Sequence, residues 1–270
     1  MNTELVTATN NVPSTQYNQQ KESVLASDIT IPKILQMQPL SDWVTEGKAK
    51  SGDFVRSSSV QVVGGKDKAL EFIPLSAHNL WMLSVNENGD GRTYTFKGYE
   101  PRNASNEYSE WEFFKDGVKW KRTKVMHLFA LLPSDIEAQL SAMKKYQETG
   151  EMPDLESALM PVVIPFRNTS FKAAKEVATL FLKAEMLATA MKVDVPVFGR
   201  TMKLCNYLEK NDKGSFYVLK VEASGPTKKE YLAAAKEWTN TLRAMEGNIK
   251  IDDAEPVVKD ANFRSEEVPF

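Results

Sequence analysis

The sequence predicts an α+β protein. Three observations carry that expectation. Between Phe54 and Leu132, short apolar runs with period-2 or continuous character mark strands. Asn88-Gly89-Asp90-Gly91 and Asp116-Gly117 supply hairpin turns between them, because Asn, Asp and Gly tolerate the positive φ of a tight turn. Beyond Pro133, three stretches open with cap-like residues and read as helices.

The chain has 270 residues, enough for one large domain or two small ones. Hydrophobic residues make up 42% and charged residues 26%, which excludes a wholly disordered chain. No apolar run approaches the ~18 residues of a membrane span. Met1-Asn2-Thr3-Glu4 does not open a basic and then apolar leader, so secretion is not expected. A single cysteine, Cys205, excludes an internal disulfide and a cysteine zinc site and fits a reducing cytoplasm.

Residues 1–27 are rich in Asn, Thr, Gln and Ser and read as a disordered arm, because they bury too little apolar surface to offset ordering entropy. Structure is expected from Ile29-Thr30-Ile31. Val60 to Val63, Leu70 to Leu75 and Trp81 to Val85 read as three strands. Thr93 to Phe96 alternates after the first turn. Trp111–Phe114 and Val118–Trp120 pair across Asp116-Gly117, and Val125–Leu132 closes the series before Pro133. Ser134 to Glu137 fits a capping box, opening a helix to about Gln147. Thr169 or Ser170 caps a long helix to about Lys192, with Ala174, Val177, Phe181 and Leu182 on its apolar face. Thr227 to Glu230 is a second capping box, with its helix ending near Met245. Pro161–Phe166 reads as an edge strand, and Met202–Leu208 with Ser215–Val221 as a hairpin. The expected core is residues 28–245, followed by a flexible tail over 246–270.

Familiar catalytic patterns are missing. Gly64-Gly65-Lys66 lacks the spacing of a phosphate loop, and no G-x-G-x-x-G occurs. His78 and His127 lack metal-ligand spacing, and His127 sits in an apolar run that suits a core position. Cys205 reads as a buried free thiol. Trp43, Trp81 and Trp238 read as packing residues. No cofactor, no metal and no enzymatic activity are expected, although scattered carboxylates leave a metal-dependent nuclease as an alternative.

Arg92 to Lys124 interleaves aromatic rings with bases. Eight bases face five acids there, a net charge of +3. Single-stranded nucleic acid exposes base faces that stack on rings, while Lys and Arg attract its phosphates. Tyr94, Phe96, Trp111, Phe114 and Trp120 are the candidates for stacking. Arg92, Lys97, Lys119, Lys121 and Arg122 are the candidates for phosphate contact. Strand alternation puts Lys119 and Lys121 on one face and Val118, Trp120 and Arg122 on the other, so the rings divide between nucleic acid and core.

The overall charge of −2 hides an asymmetry. Residues 246–270 hold seven acids against three bases, leaving a mildly basic body. The tip Glu266-Glu267-Val268-Pro269-Phe270 joins acids to an apolar end, the composition of a docking segment for a protein partner.

That acidic Pro-Phe tip resembles the partner-recruiting tip of bacterial single-stranded DNA-binding proteins, with Val268 and two glutamates departing from their usual pattern. Ile31-Pro32-Lys33-Ile34-Leu35-Gln36 through Gly47-Lys48-Ala49-Lys50-Ser51-Gly52-Asp53-Phe54, and Pro165-Phe166-Arg167-Asn168-Thr169-Ser170-Phe171-Lys172, resemble phage proteins. Together they are most similar to the single-stranded DNA-binding protein of lytic podoviruses that carry a virion RNA polymerase. The resemblance implies work in the host cytoplasm, in phage DNA replication and recombination. It also implies activation of late transcription through host RNA polymerase by way of the tail. The expected architecture is an elaborated OB-like β-barrel with about three added helices. A strand-annealing recombination protein and a transcription adaptor acting mainly through protein contacts are the alternatives.

Overall fold

A computed structural model describes residues 29–87, 94–107, 110–154, 158–192, 195–212, 214–245 and 250–252. The arm over 1–27, the Asn88-Gly89-Asp90-Gly91 turn and most of the acidic tail lie outside these residues.

Two long strands form the spine. β5 (Leu70–Asn86) and β8 (Val118–Leu131) pair antiparallel from Ile73 opposite Leu131 to Asn86 opposite Lys119. Their two ends have different neighbours. At the Leu131 end, β10 (Arg200–Asn211) and β11 (Gly214–Pro226) extend the sheet beside β5, and β9 (Val162–Arg167) lies beside β8. At the Asn86 end, β6 (Thr95–Pro101) flanks β5 and β7 (Glu112–Lys115) flanks β8.

The Leu131 end is the core, and helices cover both of its faces. Alternation sends Met126, Leu128 and Ala130 of β8 to one side. There they pack with Ile164, Phe166 and the first turns of α3 (Phe171–Met191), through Ala173, Ala174 and Val177. Phe129 and Leu131 point the other way, toward Ile136 of α2 (Pro133–Thr149) and Tyr231, Ala235 and Leu242 of α4 (Lys229–Ala244). Two covered faces explain the run from Val125 to Leu132, apolar at every position but His127, because a strand buried on both sides favours apolar residues throughout.

Two smaller sheets complete the body. β2 (Ile34–Gln36), β3 (Phe54–Arg56) and β4 (Gln61–Gly64) form one, with the single-turn α1 (Asp42–Thr45). Leu35, Met37, Ala49 and Val55 make its small core, with Trp43 against it. β1 (Thr30–Ile31) pairs parallel with β12 (Lys250–Ile251). The stretch read as tail from residue 246 therefore contributes a strand, and Ile251 packs on the core.

The class is α+β, with four helices among the described residues. The sheets are not closed into a barrel, so the OB-like closure expected from the sequence is absent from the strand pairing. The path runs β11-β10-β5-β8-β7, and β11 and β7 terminate it. Leu70–Leu75 and Trp81–Val85, read as two strands, are one. The polar Ser76 to Asn79 stretch between them continues the pairing with β8. The helix boundaries also differ at their starts. Pro133 occupies the first turn of α2 after Leu132, so Ser134 caps nothing. Thr227 donates to the Phe198 carbonyl instead of capping α4, and the Ser170 hydroxyl is engaged by the Arg167 backbone. For Thr227 a tertiary contact takes the hydroxyl, and for Ser170 a turn contact does.

His127 lies in the core as its sequence neighbours suggested, with no exposed surface. Neither ring nitrogen has a hydrogen-bond partner among the described residues. Burial, together with the positive Lys33, His78 and Arg167 around it, pushes its pKa down to about 3. The folded state therefore keeps the ring neutral, while the unfolded chain protonates it near pH ~6.5. The stabilising difference is complete above pH ~6.5 and is lost progressively as pH falls toward 3. His127→Phe should flatten that loss when urea unfolding is compared at pH 7 and pH 5. Equal acid sensitivity in the variant and the parent would contradict it.

Gly52 joins the small sheet to the β10–β11 hairpin. Its φ is +89°, and a Cβ there would lie 2.8 Å from the Tyr217 ring. Its N–H donates to the Met37 carbonyl, and its own carbonyl accepts from Asn206. Gly52→Ala should cost about 1–3 kcal/mol in urea unfolding. An unchanged midpoint would show that the loop relaxes freely.

Candidate nucleic-acid interface

Past Val125 the sheet leaves the helix-covered core, although Trp81, Ser84, Val85 and Asn86 of β5 remain buried. β6, β5, β8 and β7 lie side by side as a blade, and no residue of β6, β7 or Val118–Lys124 belongs to a core cluster. Every residue from Val118 to Lys124 is half-buried. Asp116 and Gly117, with φ of 52° and 75°, form the turn that sets β7 against β8. That register places Phe114 opposite Lys119, Phe113 opposite Trp120 and Glu112 opposite Lys121. Paired residues share a face, so the blade's two faces can be separated residue by residue.

One face is built around Lys121. Its ammonium lies 5.6 Å from the Tyr94 ring centre and 5.5 Å from that of Trp111. Burial among these rings lowers the Lys121 pKa. Phe96 projects on the same side, opposite Ser84, and its ring lies 4.9 Å from Tyr99. Lys119 contacts Glu112 at 2.8 Å, and that hydrogen bond raises its pKa. Three rings are open to solvent: Phe114 at 75%, Trp111 at 44% and Phe96 at 40%. Exposed rings at this density beside lysines are unusual on a surface with no binding role.

The opposite face is built around Arg122. Phe113 and Trp120 are stacked, with centres 6.1 Å apart and planes at 22°. The Arg122 guanidinium lies 4.1 Å from the Phe113 centre and donates to Glu100 at 2.7 Å. Lys115 lies 5.8 Å from the Trp120 ring. Toward the body, Glu107 accepts from Lys124 at 2.7 Å and pairs with Arg102 at 3.3 Å. The Lys124 contact holds the Glu107 carboxyl below its ordinary pKa. Arg102 lies over both Trp81 and Phe171, which ties the blade to the start of α3.

The structure thus sorts the sequence candidates. Tyr94, Phe96, Trp111, Phe114, Lys119 and Lys121 converge on one face. Trp120 and Arg122 lie on the other, where Phe113 and Glu100 engage them. Lys97 sits beside the β6 irregularity and is ion-paired with Glu87. Arg92 and the tip Glu266, Glu267, Val268, Pro269 and Phe270 lie outside the described residues. Trp81 is a packing residue, only 2% exposed, and its indole donates to Asn106. Cys205 is half-buried rather than buried, with its pKa raised by desolvation. Tyr99 was not among the stacking candidates, yet its ring touches Phe96 and its edge meets His127 at 4.7 Å. Counting alternate residues back from the Phe96 position gives no access to it, because the register shifts between Leu83 and Ser84.

A side-chain cation over a ring face covers the surface on which a nucleobase would stack. When a base stacks, the displaced ammonium or guanidinium is already within reach of the adjoining phosphate. Both faces of the blade have this arrangement, and the Lys121 face has the more open rings.

Among the described residues, no helix is long and apolar enough to cross a membrane. No curated protein and no solved structure matches the chain. The family model described as Pam3 phage gp34-like protein matches residues 3–248, which include the spine, the core and the blade. The chain belongs to the Pam3 phage gp34-like family and is a phage protein.

Proposed function

We propose that this protein binds single-stranded DNA, without sequence preference, along the Lys121 face of the blade. One observation carries the reading: Phe114, Trp111 and Phe96 stand exposed on one face of the sheet around Lys119 and Lys121. Each base stacked on such a ring contributes ~1–3 kcal/mol and needs no base-specific hydrogen bond. A duplex keeps its base faces inside the helix, so it offers this surface only phosphates. The role is binding rather than catalysis. Work in phage replication and recombination follows from the same binding, supported by the resemblances at Ile31–Phe54, Pro165–Lys172 and the tip.

Phe114→Ala and Trp111→Ala should each weaken oligo-dT binding by about 5- to 150-fold, the equivalent of ~1–3 kcal/mol. Affinity should also fall as salt rises, since phosphate contacts release counterions. Tryptophan fluorescence titration reads both effects, with the Phe114 variant leaving the reporters intact. Unchanged affinity in both variants, with the fold retained by circular dichroism, would contradict the placement of the site.

The acidic tail is assigned the protein contact, including one to host RNA polymerase in late transcription. What supports this is the composition of Glu266-Glu267-Val268-Pro269-Phe270. Phe270→Ala should abolish capture of purified host RNA polymerase while oligo-dT affinity persists. Retained capture would remove the tail from that role.

A further inference from the structure

We infer that the DNA path does not end at the Lys121 face but folds around the free edge of β7 onto Phe113, Trp120 and Lys115. This rests on the single-stranded DNA reading and extends it, from a site on one face to a wrapped site that favours longer strands.

β7 is an edge strand of four residues, Glu112–Lys115, paired only with β8 among the described residues. Its neighbouring positions carry rings to both sides. Phe114 projects with Lys119 on one face, and Phe113 projects with Trp120 on the other. Trp111, immediately before the strand, reaches Lys121. Rings therefore continue around the edge, with no helix or loop of the described core between the two sets. At ~3.4 Å per residue, the four residues of β7 span about 14 Å.

The chemistry of the second face repeats the first. Lys121 sits between Tyr94 and Trp111, and on the far side Arg122 lies over Phe113 while Lys115 lies over Trp120. Lys115 is exposed and makes no ion pair among the described residues. It stands at the corner where a strand would turn. Phe113 and Trp120 are half-buried, stacked on each other and covered by Arg122 and Lys115, so the second set is the weaker one and is reached only after the more open Lys121 face is filled. Farther toward the body, Lys124 and Arg102 share Glu107 and Arg102 lies over Trp81 and Phe171, so both cations are already engaged and the path stops there.

The test uses the full chain and oligo-dT of graded length, from about 4 to about 16 nucleotides. Lys115→Gln removes the corner charge and touches no core, and Phe113→Ala removes the far ring. Both should weaken the longest oligomer at least fivefold and leave the shortest within twofold. Phe114→Ala should weaken every length. For Lys115→Gln, the slope of log affinity against log salt should fall by about 0.7 with the long oligomer only. Equal effects at all lengths, or none at any length, would overturn the wrapped path. So would two short oligomers bound per chain, which would mean two separate sites. A change of oligomeric state in Phe113→Ala, seen by sedimentation with binding unaltered, would make the far face a subunit contact. If the parent protein bound no oligomer at all, the single-stranded DNA reading itself would fall first.

Discussion

The antiparallel register between β5 and β8 is the constraint on which the rest of this protein depends. It fixes which residues of one strand face which neighbour over the whole length of both. At the Leu131 end it sends alternate apolar residues into two helix-covered cores. At the Asn86 end it sends Lys119 and Lys121 to one face and Trp120 and Arg122 to the other. A slip of one residue would exchange the two faces, moving Lys119 and Lys121 to the Arg122 side and swapping the residues of the two cores. Eighteen buried residues on one side of the core and eleven on the other make such a slip costly in aggregate. The core thus acts as a clamp that holds the register of an otherwise thinly supported blade.

The blade buries Trp81, Ser84, Val85 and Asn86 of β5 at its centre, but its outer strands β6 and β7 and the stretch Val118–Lys124 are only half-buried or exposed and add little packing of their own. The blade compensates with side chains laid flat along it. Arg122 covers Phe113, Lys121 lies between two rings, and Arg102 bridges Trp81 to Phe171. Such cation–ring contacts are worth about 0.5–1 kcal/mol each at exposed positions, enough to order the surface but not to hold it against a competing base. A surface kept in order by replaceable contacts suits a protein that must take and release a polymer. The rigid part is underneath, in the ladder of β5 and β8.

Much of this was legible in the sequence. The run from Val125 to Leu132 announced a strand ending at Pro133. Asp116-Gly117 announced the hairpin, and counting from that turn gives Phe114 opposite Lys119 directly. The interleaving of rings and bases between Arg92 and Lys124 marked the region that becomes the blade. Other features depended on distant parts of the chain. Ser76 to Asn79 looked like a break, because that polar stretch lies where β5 exchanges β10 for β6 as its neighbour. Nothing local says that Glu100 neutralises Arg122 or that Trp120 faces away from Trp111. The capping boxes at Ser134 and Thr227 failed for the same reason, since a proline and a distant carbonyl decided those ends. Open sheets and closed barrels share the same strand pattern, so closure was not readable from periodicity.

The central claim is that single-stranded DNA lies on the Lys121 face of the blade. Ultraviolet crosslinking of the full chain to oligo-dT, followed by peptide mapping, tests it most directly. The account predicts adducts on Trp111, Phe114 and Phe96, with none on the exposed Tyr207 or Leu208 of the β10–β11 hairpin. Adducts confined to that hairpin or to the outer turns of α3 would contradict it.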